Sequence, residues 1–266
     1  MNILFPGIAA ILIYVSASAL ILKEILNSCK QHRMPVLLAW VGAGLHGLYL
    51  MMLFQQHQDF NFSFFNAAAL VSVFIVLILL LAAIDKPVAK LGIAIFPLAA
   101  ALLGLDLLFP GKTHPLAAHN WEMSAHIFTS IIAFSLLNIA ALQAILLAVQ
   151  EQQLRTHHPK RLMLALPPLQ AMETLLFQMI AFGLFFLTVS LLSGFIFIDD
   201  LFAQHLVHKT VLSIFAWFIF SGLLLGRLRY GWRGKTAIQW TLIGFVLLLL
   251  AYFGSKLVLE LILKKV

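Results

Sequence analysis

The sequence predicts an all-α, polytopic integral membrane bundle of about eight transmembrane helices, with N-terminus and C-terminus outside. Three observations predict it. First, 62% of the 266 residues are hydrophobic and only 10% are charged, whereas a soluble domain runs near half apolar and a quarter charged. No water-soluble core hides that excess, so soluble, disordered and disulfide-scaffold classes are excluded. Second, the apolar runs are continuous and about 20 residues long, the length that crosses a hydrocarbon core as a helix; the strands of a β-barrel would alternate instead. Third, eight such helices use roughly 160–170 residues and leave about 100 for loops and tails. That leaves no room for a separate soluble domain, so residues 1–266 read as one transmembrane domain.

The first helix is expected over about residues 3–22, ending at Lys23-Glu24. The first 22 residues hold no Lys or Arg, so this segment lacks the positive n-region of a signal peptide and reads as a retained helix. Helices 2, 3 and 4 are expected over about 36–54, 64–84 and 88–109. Helix 5 runs from Trp121 to about Gln150, and helices 6, 7 and 8 cover about 174–198, 210–228 and 236–257 or beyond. Pro35, Pro87, Pro110, Pro159 and the Pro167-Pro168 pair fall at or between ends, where the ring removes no needed hydrogen bond. Pro6 and Pro97 fall inside apolar runs and predict kinks in helices 1 and 4.

Orientation follows from the basic residues. One set of loops holds twelve Lys and Arg: Lys23, Lys30, Arg33, Lys86, Lys90, Arg155, Lys160, Arg161, Arg227, Arg229, Arg233 and Lys235. The other holds five, Lys112, Lys209, Lys256, Lys264 and Lys265. The richer side reads as cytoplasmic, which puts both termini outside. The formal charge of +7 is therefore a topology signal and no sign of a nucleic-acid partner. Asp106 and Lys90 are expected near helix ends, within reach of the interface, which leaves no acidic or basic side chain at mid-depth. That pattern argues against a coupled ion transporter, whose binding groups lie at the midplane.

On this topology seven of the ten histidines fall in the outer half. His46 lies near the middle of helix 2, beside Gly42, Gly44 and Gly47. An ionisable side chain at that depth needs a partner or a task. It is either hydrogen-bonded across a glycine-rich helix seam or a metal or haem ligand. His126 lies about one turn inside helix 5 and shares a face with Ser130, Ala133 and Leu137. Small polar neighbours there would hold one ring nitrogen and leave the other for iron; an interfacial cap is the other reading. His114 and His119 share an outer loop without a cysteine or paired carboxylates. His205 and His208 flank the entrance to helix 7 next to Asp199, Asp200 and Lys209, either as a solvated helix start or as a cofactor-facing group.

The single cysteine, Cys29, excludes a thioether-attached haem and any multi-cysteine metal site. There is no Walker A sequence, no nucleophile elbow and no His-Glu-x-x-His run, so no enzyme class is indicated. Arg227, Arg229, Arg233 and Lys235, interleaved with Tyr230 and Trp232, suit lipid phosphates and equally a positive-inside loop. Trp121, Trp232 and Trp240 suit interfacial belts.

Three segments carry a resemblance. They are the run His126 to Ala141; Leu166-Pro-Pro-Leu-Gln-Ala-Met-Glu173; and Lys209-Thr-Val-Leu-Ser-Ile-Phe-Ala-Trp217 with Gly231-Trp-Arg-Gly234 and Ala251-Tyr-Phe-Gly-Ser255. In order and spacing the chain resembles the YpjD/HemX branch of the CcsA–CcmC cytochrome c assembly superfamily. The tryptophan-rich WWD signature of its haem-delivery members is absent, Trp121 being the one tryptophan in an outer loop. The resemblance implies a single cytochrome c assembly-like domain in the bacterial inner membrane that handles non-covalent haem b. It implies His46 and His126 as axial ligands of one haem, with iron as the metal, and His208 and Lys209 as further cofactor candidates. Lys112 or Lys209 would pair with propionates. Membrane lipid, and apocytochrome c or other cytochrome c assembly proteins, are the implied partners. Two other functions stay open: a regulatory or scaffold accessory of haem biosynthesis acting through cytoplasmic loops, and a metal or small-solute transporter.

Overall fold

The computed structural model describes residues 3–27, 33–57, 64–86, 88–109, 121–156, 167–197 and 207–254. Among them are eight helices long and apolar enough to cross a membrane. They are α1 (Leu4–Leu26), α2 (Met34–His57), α3 (Phe64–Asp85), α4 (Gly92–Leu108), α5 (Trp121–Arg155), α6 (Leu169–Phe197), α7 (Val207–Tyr230) and α8 (Lys235–Leu249). A 3₁₀ turn, Ala89–Leu91, leads into α4, and the last turn of α8 widens into a π-helix over Leu250–Gly254. The chain is a polytopic membrane bundle with no strand among the described residues.

It divides into two compact units. The first holds α1 to α4 and the second α5 to α8. In each, the four helices form a ring: α1 packs on α2 and α4, and α3 closes on both of those; α5 packs on α6 and α8, and α7 closes that ring. The outward faces stay apolar, with Phe5, Leu12, Phe185 and Phe218 exposed, as a surface against lipid requires. The interiors are small and apolar at α1 and α5, where Ala10, Ala17, Ala133, Ala140 and Ala144 are buried. Small residues let helices approach when lipid removes the hydrophobic drive between them.

Several boundaries differ from expectation. Helix α1 passes through Lys23-Glu24 to Leu26, where Asn27 N–H returns to Lys23 O; long charged side chains can reach the interface without ending a helix. Pro6 lies in its first turn, where a missing N–H is tolerated. Pro97 is inside α4. Helix α5 extends to Arg155, roughly 50 Å at 1.5 Å per residue, so it projects beyond a hydrocarbon core of about 30 Å. Helix α6 starts five residues earlier than expected, because the proline pair serves as its entrance: Met172 N–H bonds Pro168 O.

Asp106 is a correction. It does not sit free at the interface but is 3% exposed inside the first unit. Its Oδ2 accepts from the Tyr49 hydroxyl of α2 at 2.9 Å and from Asn66 Nδ2 of α3 at 3.2 Å. A carboxyl in a spanning segment is costly, and these two donors from neighbouring helices are what keep it there. Glu173 is likewise buried, having been drawn into α6 by the early helix start.

Candidate functional site

His126 lies in the second turn of α5, one turn before Ser130, with Ala133 and Leu137 on the same face. All three of those are buried, so the expected face is the one that packs on α6. Across it, His126 Nδ1 lies 2.9 Å from Ser190 O and 3.1 Å from Ser193 Oγ. A carbonyl oxygen can only accept, so Nδ1 carries the proton. The lone pair is then on Nε2, which has no hydrogen-bond partner among the described residues.

The surrounding hydroxyls have one consistent set of donors. Ser193 Oγ donates to Ser190 O at 2.9 Å, so it receives the second branch from His126. Ser130 Oγ donates to His126 O at 2.7 Å. The Ser190 hydroxyl therefore donates to Ser130 Oγ. From the π turn, the Tyr252 hydroxyl donates to Ser130 O at 2.9 Å while its ring stacks on Phe134, centroids 4.7 Å apart. Three elements of the second unit thus fix one imidazole, with one nitrogen held and one available. That is the arrangement of a metal-binding histidine with an outer-shell acceptor.

His46 belongs to the first unit and is fully buried. Its Nδ1 is 3.5 Å from the Tyr14 hydroxyl, and the rings meet edge to face at 6.0 Å. Tyr14 stacks in turn on Phe96 of α4. Gly42 allows this seam, since a Cβ there would come within 3.1 Å of the Tyr14 ring. His46 Nε2 is buried with no hydrogen-bond partner among the described residues. Gly44 and Gly47 face open space and are no part of the seam. His208 is exposed in the first turn of α7, next to Lys209. Lys112, His114, His119, Asp199, Asp200 and His205 lie outside the described residues. Among the described residues no three His, Cys, Asp or Glu converge as a site for a bare metal ion.

Sequence reasoning missed Ser190, Ser193, Tyr252 and Tyr14. Ser190 and Ser193 stood three apart in an apolar run, a spacing that puts two hydroxyls on one helix face. Nothing in the sequence said that α6 would turn that face to His126.

Residues 29–263 match the family model for cytochrome C assembly protein. The inner membrane protein YpjD of Escherichia coli K12 is 32% identical over 263 residues, 96% of this chain and 98% of that protein. An uncharacterised 28.8 kDa protein of Azospirillum brasilense is 32% identical over 140 residues, 52% of each chain. The cytochrome c biogenesis protein CcsA of Chlamydomonas reinhardtii is 26% identical over 148 residues, 55% of this chain and 40% of that one. No solved structure matches. The family match runs through both units.

Proposed function

This chain belongs to the cytochrome C assembly protein family, and from that premise we propose that it is a non-enzymatic, haem-binding protein of the bacterial inner membrane that serves cytochrome c assembly. The observation that carries the reading is the His126 ring. Its proton is committed to the Ser190 carbonyl, and its other nitrogen is left with a lone pair and no hydrogen-bond partner among the described residues. The near full-length likeness to an inner membrane protein and the partial likeness to a cytochrome c biogenesis protein support the location and the pathway. They favour cytochrome c biogenesis over a solute transporter or a regulator of haem synthesis.

The donor set fits haem b held without a covalent bond, since one cysteine cannot supply two thioethers. When bound, the group supplies an iron that takes nitrogen ligands and changes oxidation state. The chain does the rest. His126 offers Nε2, and the Ser190 carbonyl and Ser193 hydroxyl keep the ring from turning. Ser130 and Tyr252 hold the turn that carries it. His46, in the first unit, is a separate ligand candidate, supported by a buried Nε2 that has no hydrogen-bond partner among the described residues. His208 and Lys209, at the entrance of α7, are proposed to face the propionates. Both termini are placed outside, with membrane lipid and either apocytochrome c or other assembly proteins as partners.

Wild type, His126→Ala and His46→Ala, expressed with haem supply and purified in detergent, test the reading by absorbance per mole of protein. Wild type should show a Soret band. Each substitution should lower haem content or convert a low-spin spectrum to high-spin, with elution on size exclusion unchanged. A haem-free wild type, or unchanged spectra in both variants, removes the proposal. Reporter fusions after Arg161 and at the C-terminus check the orientation; an external signal at Arg161 reverses it.

A further inference from the structure

At three helix ends the described cations have an acid beside them. Lys23 adjoins Glu24, Lys86 adjoins Asp85, and Arg155 pairs with Glu151 at 2.6 Å. The hairpin joining α7 to α8 departs from this. Of Arg227, Arg229, Arg233 and Lys235, only Arg233 has an acid beside it among the described residues, Glu173.

The hairpin is also held in one shape. Gly231 and Gly234 adopt φ of 65° and 56°, which side chains rarely tolerate. Gly231 N–H returns to Arg227 O at 3.2 Å. Trp232 lies against Gly226, where any Cβ would strike its ring, stacks on Tyr230 at 6.4 Å and meets Trp240 at a tilt at 5.0 Å.

Two of the four cations maintain this shape. Arg227 donates to Trp232 O at 3.1 Å and lies 4.8 Å over the Phe177 ring. Arg233 lies 3.3 Å from Glu173 Oε2, an ion pair without hydrogen-bond geometry. Glu173 Oε1 accepts Gly234 N–H at 2.7 Å, so the start of α8 already has its anion. Arg229 and Lys235 are different. Both are exposed and neither makes an ion pair or hydrogen bond among the described residues. They stand on either side of the four-residue link, Gly231 to Gly234, between two helices that pack together. Beside them Leu228 is 81% and Tyr230 76% exposed. Apolar, aromatic and cationic groups thus follow one another within a turn, in the sequence of environments that a phospholipid offers from chain to phosphate.

We propose that the α7–α8 hairpin is a preformed binding site for an anionic phospholipid, with Arg229 and Lys235 holding the headgroup phosphate and Tyr230 and Leu228 against its glycerol and acyl chain. The complementary charge is the reason for this occupant: two cations with no ion-pair partner among the described residues, on the facing ends of two spanning helices joined by a rigid loop, where an anionic headgroup lies. Either membrane orientation provides that surface, and nothing in the site depends on His126.

The full-length protein in neutral detergent is titrated with phosphatidylglycerol and with phosphatidylcholine, and bound lipid is counted by native mass spectrometry. Wild type should prefer phosphatidylglycerol, and Arg229→Gln with Lys235→Gln should lower that preference roughly tenfold, two cations being removed. The charge-keeping pair Arg229→Lys with Lys235→Arg should retain it, as should Arg155→Gln, whose cation is already paired. Equal binding of the two lipids by wild type would overturn the site. So would an unchanged preference in the Gln pair, a loss in the charge-keeping pair, or an equal loss in Arg155→Gln. Displacement of the lipid by glycerol 3-phosphate at equal concentration would show a free-phosphate site instead and overturn the lipid assignment.

Discussion

The two four-helix units each carry a histidine in a spanning helix, and they prepare it differently. In the first, His46 Nδ1 faces a tyrosine hydroxyl at 3.5 Å. A hydroxyl gives or takes a proton, so Tyr14 is compatible with either tautomer. In the second, His126 Nδ1 faces a backbone carbonyl at 2.9 Å, which only takes. The membrane charges both residues a similar cost for being there. What separates them chemically is the partner: a carbonyl fixes the proton on Nδ1 and leaves the lone pair on Nε2, while a hydroxyl leaves the tautomer open. Packing differs too. His46 is sealed at 0% exposure, and His126 is half-buried in a cluster of hydroxyls.

The comparison predicts unequal effects on a haem spectrum. His126→Ala should cause the larger loss, with haem per mole of protein falling at least about tenfold, the scale of one lost ligand with its support. His46→Ala should retain more haem and show its effect as a low-spin to high-spin change. Equal losses in both, read by absorbance and by pyridine haemochrome, would erase the distinction drawn from the partners.

Stability sharpens the contrast next. Asp106→Ala leaves the Tyr49 hydroxyl and Asn66 amide of the first unit without their acceptor. A buried donor stripped of its partner costs about 1–3 kcal/mol, so the melting temperature in detergent should fall while the His126-dependent spectrum is kept. A spectrum that collapses together with the melting point would mean that the two units do not behave separately. Glu173→Gln should cost less, under about 1 kcal/mol. Its amide oxygen can still accept from Gly234, and the lost ion pair is with an arginine whose side chain is 65% exposed.

The smallest effects test the hydrogen-bond assignments. Tyr14→Phe removes only a long contact to His46 and should shift the melting point by less than about 1 kcal/mol in free energy, near the average for such bonds between membrane helices. Ser193→Ala removes the Ser193 hydroxyl from Ser190 O and leaves His126 as its side-chain donor. Haem content should stay at the wild-type level, while the reduction potential of the iron should drop, since a stronger N–H bond makes the ring a better donor. A potential that does not move would say that Ser193 is a packing residue.

Sequence by itself determined the class, the number of spans and the two histidines worth asking about. Composition and run length suffice for the first two, because a hydrocarbon core accepts nothing but long apolar helices or closed barrels. Periodicity on α5 put His126, Ser130, Ala133 and Leu137 on one face, and the structure buries the last three of them. Family resemblance, carried by segments such as Gly231-Trp-Arg-Gly234, was legible from the same text. Tertiary structure decided which nitrogen of each histidine is engaged, because Ser190, Ser193 and Tyr14 lie 64, 67 and 32 residues away from the rings they touch. It also drew Asp106 inward, since its distance from the helix end said nothing of Tyr49 and Asn66 waiting on α2 and α3. Local pattern reports which side of a helix is apolar. Which donor faces which acceptor is set by the rotation and register of a neighbouring helix, and no spacing within one helix contains that.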